Sequence, residues 1–149
     1  MTPESFPSLF AAGWALPKPD GFLAHFRPLI DPEAVFTQPL FPDARGLEEI
    51  EDMFRRLFAL FPDLALTVTA NTVQHNTGQA GTGQAGTVYI ESACTATLGR
   101  EPVTFTVCDR FTIGGGTVRA RHSYSDPLPV LLTALRRPSC WPRLVRSRL

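Results

Sequence analysis

Chemistry in this chain is most clearly signalled by Asp109, an acid set in a row of apolar side chains. Between Val103 and Ile113 the odd positions read Val103, Phe105, Val107, Asp109, Phe111 and Ile113, while Thr104, Thr106, Cys108, Arg110 and Thr112 take the even ones. A period of two marks a strand with one face on the core, so Asp109 is expected to point inward. The next segment sets Val118, Ala120, His122 and Tyr124 against Thr117, Arg119, Arg121 and Ser123. Matching its more apolar set to the same sheet face fixes a register. Pairing Ile113 with Val118 across the Gly114 to Thr117 turn then places Phe111 beside Ala120, Asp109 beside His122 and Tyr124 next to Val107.

A carboxylate, an imidazole and a phenol would thus converge on a buried face. Burial raises the pKa of a carboxyl group and a neighbouring imidazolium lowers it, which poises such a pair for general acid/base work. A buried Asp–His pair can equally be structural, each group satisfying the other. Arg119 and Arg121 take the opposite parity and are expected on the outer sheet face, open to a second copy of the chain. His75 beside a loop, His25 between Ala24 and Phe26, and Glu91 on the Tyr89 face of its strand read as surface or core-edge residues.

Other chemistries find no support. GxSxG, GxGxxG, HExxH and P-loop motifs are absent, and Gly114-Gly115-Gly116 reads as a turn. Cys94, Cys108 and Cys140 are odd in number and widely spaced, with no CxxC pair, so neither a disulfide framework nor a metal site is expected. No cofactor is expected either. Fourteen basic residues balance fourteen acidic ones, which leaves no global field to attract nucleic acid. With no apolar run near the ~18 residues of a membrane span and no leader-like N-terminus, a cytoplasmic location is expected.

The positioning elements follow from periodicity. Helices are expected over Ser5 to Leu16 and Asp20 to Ile30, with Asp20 as N-cap and Phe22, Phe26, Leu29 and Ile30 as an apolar stripe. Asp31-Pro32 stops the second, and Ala34 to Gln38 reads as a short strand. From Leu47 to Phe61, Leu47, Ile50, Phe54, Leu57, Phe58 and Phe61 recur at three- and four-residue steps, the pattern of a core-facing helix. Its Glu51/Arg55 and Asp52/Arg56 spacings suit ion pairs. Period-two strands follow over Leu64 to Gln74, Thr87 to Leu98, Val103 to Ile113 and Thr117 to Ser125, giving an α+β domain with an antiparallel meander.

An exact tandem pentapeptide, Thr77 to Gly81 and Thr82 to Gly86, is too polar and glycine-rich to fold alone and reads as a hairpin loop or, less simply, a ligand lid. The stretch from Pro127 to Leu149 carries five arginines and no acid. Residues 127–149 are expected to form a basic, partly helical tail beyond a domain of residues 1–126, packed on that domain or on a partner. Membrane-surface contact is the alternative for this tail.

The order of elements, the strand ending in Gln38-Pro39, Cys108 to Ile113 and the run Arg121-His122-Ser123-Tyr124-Ser125-Asp126-Pro127 resemble the nuclear transport factor 2-like superfamily, and within it the SnoaL-like branch, over about Ser5 to Pro127. The resemblance implies a curved, cone-shaped mixed sheet wrapped around the N-terminal helices and one long helix, with a single pocket, in a homodimer formed through the outer sheet face. Ketosteroid isomerase, a member, pairs an Asp base with a Tyr and a protonated Asp as oxyanion donors. Asp109 matches that protonated Asp, Gln38 falls at the base and the tyrosine position lies near Phe10. Limonene epoxide hydrolase, another member, has a Trp-Arg-Asp-Tyr-Phe-Asp run similar to Arg121 to Asp126, its first Asp falling on Ser123. The implied function is a small-molecule pocket protein: an isomerase, cyclase or hydratase acting on a hydrophobic ligand, or alternatively a non-catalytic binding or dimerisation module. The expected site is Asp109, His122 and Tyr124 as catalytic residues with Gln38, Phe36, Phe58, Phe105 and Phe111 as binding residues.

Overall fold

A computed structural model describes residues 1–39, 41–75, 85–98 and 101–136. Most of the tandem repeat, including Thr77 to Gln84, and the tail from Arg137 onward lie outside the described residues. The elements are α1 (Phe6–Trp14), α2 (Asp20–Phe26), β1 (Ile30–Gln38), β2 (Phe41–Arg45), α3 (Gly46–Leu60), β3 (Ala65–His75), β4 (Gly86–Leu98), β5 (Glu101–Gly114), β6 (Thr117–Ser125) and α4 (Leu128–Arg136). One six-stranded sheet runs in the order β2-β1-β6-β5-β4-β3. Only β1 and β6 pair in parallel; every other neighbour is antiparallel. The fold is therefore α+β with a mixed, open sheet. No helix among the described residues is long and apolar enough to cross a membrane.

The meander expected from the sequence is present, since β3, β4, β5 and β6 are sequential neighbours. The strand β2, not expected from the sequence, pairs with β1 as an edge strand. Two further elements differ from expectation for local reasons. Pro28, which lacks an N–H and disfavours helix in the residue before it, turns the end of α2 into a 3-10 turn over Arg27–Leu29. The chain then enters β1 at Ile30, earlier than expected, because the strand accommodates Pro32 where its pairing with β6 is interrupted between Ile30 and Val35. Asp20 sits inside the first turn of α2 after an N-cap of Pro19 and makes no capping bond. It pairs instead with Arg55 at 3.1 Å.

The core is an aromatic layer between the helices and the inner sheet face. Phe6, Phe10, Trp14, Phe22, Phe54, Phe58 and Phe111 are all buried. Their rings meet mostly edge-on or tilted, as between Phe6 and Phe111 at 4.7 Å and between Trp14 and Phe22 at 4.9 Å, arrangements favoured by ring quadrupoles. Polar groups tie the helices together around this layer. A ring nitrogen of His25 lies 2.9 Å from the Leu9 carbonyl oxygen, and Glu51 on α3 pairs with Arg27 rather than with Arg55. The expected Asp52–Arg56 pair does form.

The turn between β5 and β6 decides the site. Gly115 and Gly116 have φ of +65° and +83°, and Gly114 pairs with Thr117. This is a two-residue hairpin loop whose central residues both need positive φ, a conformation glycine adopts without steric cost. Ile113 pairs with Val118 as expected. The next pair is Thr112 with Ala120, so Arg119 is an extra residue on β6, a β-bulge. Every side chain beyond it changes face. Asp109 lies opposite Ser123 and Arg110 opposite His122.

Candidate functional site

The bulge at Arg119 corrects the expected group around Asp109. Arg121, expected outside, turns inward and is 8% exposed, while Asp109 is 1% exposed. His122 and Tyr124, expected inside, lie on the outer face, their rings 4.4 Å apart, and Tyr124 is 48% exposed. A one-residue shift moves a whole strand's side chains to the other face because its period is two.

Arg121 grips Asp109 in a bidentate fork. Its Nε–H donates to Oδ1 at 3.0 Å and its Nη2 to Oδ2 at 3.2 Å. Nη1 donates to Gln38 Oε1 at 3.1 Å and Nη2 reaches Ser123 Oγ at 3.4 Å. Two rings flank the guanidinium carbon, Phe54 at 5.7 Å and Phe36 at 5.9 Å from their centroids, within cation–π range. The register of β1 on β6 sets this up by pairing Phe36 with Arg121. Of the five N–H donors a guanidinium carries, these contacts leave one on Nη1 without a partner among the described residues.

The ion pair forms part of the wall of a cavity of about 80 Å3. Gln38, Cys94, Ser123, Ser125 and a second carboxylate, Asp126, are its other polar neighbours, while Trp14, Phe61 and Phe105 are among its apolar walls. Pro127 and Val130, at the start of α4, also line it. Gln38, Phe105 and Asp109 of the expected site therefore share this cavity. Phe36 and Phe111 instead border the closed aromatic core beside it, and Phe58 packs within that core against Trp14 and Phe22. His122 and Tyr124 line an open concavity on the outer face together with Cys108 and Glu91.

Residues that the sequence reading did not assign to the site are Arg121, Ser123, Trp14 and Cys94. For Arg121 a signal existed: a lone buried carboxylate calls for a partner that stays charged and can donate in a fork, which describes arginine better than histidine. Cys94 is not a nucleophile in this setting. Burial first, and the nearby Asp109 carboxylate second, push its thiol pKa up to about 12, so it holds its proton at neutral pH. Among the described residues no three His, Cys, Asp or Glu side chains cluster as a metal site would require.

A family model for the SnoaL-like domain matches residues 10–121 of the chain. The chain belongs to the SnoaL-like domain family. Solved structures agree on the SnoaL-like fold. A protein proposed to be a SnoaL-like polyketide cyclase, from Jannaschia sp. CCS1, is 22% identical over 86% of this chain and 87% of its own, with a TM-score of 0.68. IdmH from Streptomyces antibioticus, proposed to be a polyketide cyclase, is 19% identical over 89% and 97%, with a TM-score of 0.66. AclR from Streptomyces galilaeus, proposed to be a hydroxylase, is 15% identical over 91% and 97%, with a TM-score of 0.68. No curated protein matches the chain.

The buried thiol gives a check on the packing around this cavity. Iodoacetamide at pH 8, followed by peptide mass spectrometry, is expected to leave Cys94 unmodified in the folded protein and to label it in urea. Labelling of Cys94 in the folded protein at the rate of a free thiol would contradict the described burial.

Proposed function

We propose that this SnoaL-like protein binds a hydrophobic small molecule carrying a carbonyl group in the cavity beside Asp109 and Arg121, and that the pair performs general acid/base chemistry on it. The carrying observation is a bidentate Asp–Arg pair on the wall of an otherwise mainly apolar cavity. Burying two charges is costly, and a buried pair is often no more stabilising than well-packed apolar residues of the same volume. Its retention beside a cavity is what a functional role explains.

The geometry supports one division of labour. Asp109 accepts two N–H groups from Arg121 and keeps further lone pairs, so it is the base that takes a proton from the carbon next to the carbonyl. The remaining Nη1–H of Arg121 faces the developing enolate oxygen as an electrophile. With a β,γ-unsaturated ketone, return of the proton from Asp109 to the γ-carbon of the dienolate moves the double bond, an isomerisation. With a second carbonyl in the same molecule, attack of the enolate carbon forms the new C–C bond and the proton passes from Asp109 to the resulting alkoxide, a ring closure. His122 and Tyr124 have no part in these steps, because the sheet separates them from Asp109. The cavity volume of about 80 Å3 is below the ~300–1,000 Å3 of ligand pockets, so a ligand of polyketide, terpenoid or steroid size enters by displacing part of the wall. A second reading, binding without turnover, is favoured by Gln38: an amide stands where the resemblance to ketosteroid isomerase places the base.

The homodimer expected through the outer face remains part of the proposal and is supported by the exposed Tyr124 beside an open concavity. Sedimentation equilibrium is expected to show a dimer that Tyr124→Glu weakens; a monomer at micromolar concentration would remove the dimer from the reading. A cytoplasmic location is likewise proposed, consistent with the free thiols of Cys94 and Cys108.

Acetophenone in D2O tests the chemistry, since enolisation exchanges its methyl protons for deuterium. The protein is expected to accelerate this exchange, and Asp109→Asn to reduce the acceleration by roughly 100-fold or more. Asp109→Ala alone is expected to lower stability by about 3–5 kcal/mol, while Asp109→Leu with Arg121→Met restores it without restoring exchange. Binding of acetophenone with no accelerated exchange would establish the second reading instead.

A further inference from the structure

We infer that the indole N–H of Trp14 is the hydrogen-bond donor that anchors the oxygen of the ligand, which makes the ligand an apolar, ring-bearing carbonyl compound. The inference rests on the cavity reading proposed above and adds to it a residue on the helical wall, across the fold from the sheet.

Trp14 closes α1 and is 6% exposed. Its ring packs against Phe22 at 4.9 Å and Phe58 at 6.0 Å and also lines the cavity. Lys18 holds the helix end in place, donating from Nζ to the Trp14 carbonyl oxygen at 2.9 Å and lying 5.5 Å from the indole ring. The ring is therefore fixed by its neighbours. Its Nε1 is nevertheless buried without a hydrogen-bond partner among the described residues. One other buried side-chain atom shares that condition, Ser92 Oγ, and Ser92 does not line the cavity.

Buried indole N–H groups ordinarily find an acceptor, and an orphan in a packed core calls for an explanation. A phenylalanine would fill the same aromatic niche with no polar atom left over. An orphan donor on a residue that lines the cavity is explained when the ligand itself supplies the acceptor. The indole N–H is neutral and donor-only, so the group it selects is an uncharged oxygen acceptor such as a ketone. The apolar walls, Phe61 and Phe105 among them, select the ring body. Trp14 on the helices and Arg121 on the sheet would then hold the ligand between two donors.

Acetophenone and its hydrocarbon counterpart α-methylstyrene, nearly equal in shape, differ in having or lacking the oxygen. The chain has two tryptophans, so Trp141→Phe assigns the Trp14 indole signal in a 15N-labelled sample. Acetophenone is expected to move the Trp14 indole proton downfield, and α-methylstyrene to leave it in place. Trp14→Phe is expected to weaken acetophenone about tenfold, the effect of one lost neutral hydrogen bond, with α-methylstyrene unaffected. Acetophenone that binds without shifting the Trp14 indole proton, or that binds Trp14→Phe as tightly as the natural protein, overturns the inference even if the variant folds poorly. Failure of both compounds to bind the natural protein would overturn the cavity reading and this inference with it.

Discussion

A carboxylate shielded from water must be met by positive charge and hydrogen-bond donors, and the arrangement of this sheet turns on how Asp109 is met. Asp109 lies on the inner face of β5, in a row of apolar side chains. The only adjacent strand that brings a cation to it is β6, and β6 does so by inserting Arg119 as a bulge that rotates Arg121 inward. The guanidinium then needs its own surroundings. Gln38 at the end of β1 accepts one N–H, and Phe36 and Phe54 flank the planar cation. The parallel docking of β1 on β6, the bulge and the position of α3 are thus coupled through one ion pair.

The same interaction divides the two faces of the sheet into different kinds of surface. Inside, the Asp109–Arg121 fork and its neighbours use all but one of the guanidinium's N–H donors, beside a cavity walled mainly by aromatic and aliphatic groups with Asp126 also on its wall. Outside, His122 and Tyr124 stand in an open concavity. Electrostatic preorganisation belongs to the inner face, where fixed donors act without competition from water. Trp14 carries the proposal from the sheet to the helices, offering an orphan donor on a packed ring as a second fixed point for the proposed ligand's oxygen.

Much of the fold was legible because its signals are local. The apolar spacing of Leu47 to Phe61, the glycine turn before Thr117 and the alternation of Val103 to Ile113 each specify an element from neighbouring residues alone. Asp109 was legible as a buried acid for the same reason. Its partner was not, because a bulge leaves almost no trace in the alternation. Ala120, His122 and Tyr124 look as suitable for an inner face as Arg121, Ser123 and Ser125 until the charge of Asp109 is weighed. Alternation alone gives the pairing of Ile113 with Val118 and misses the bulge one residue later. Phe36, Phe58 and Phe111 were placed on the cavity by residue type, whereas their neighbours put Phe36 against Arg121 and the other two in the closed core. Trp14 could not be singled out at all, since an indole in an aromatic helix stripe looks like any core residue until its N–H is seen to lack a partner.

The central claim is that the bulge at Arg119 sets Arg121, and not His122, before Asp109. Interstrand backbone nuclear Overhauser effects across β5 and β6 read this register directly. The account predicts contacts that pair Asp109 with Ser123 and Arg110 with His122, with Arg119 unpaired. Contacts pairing Asp109 with His122 and Phe111 with Ala120 would contradict it, and would return the imidazole to the buried acid.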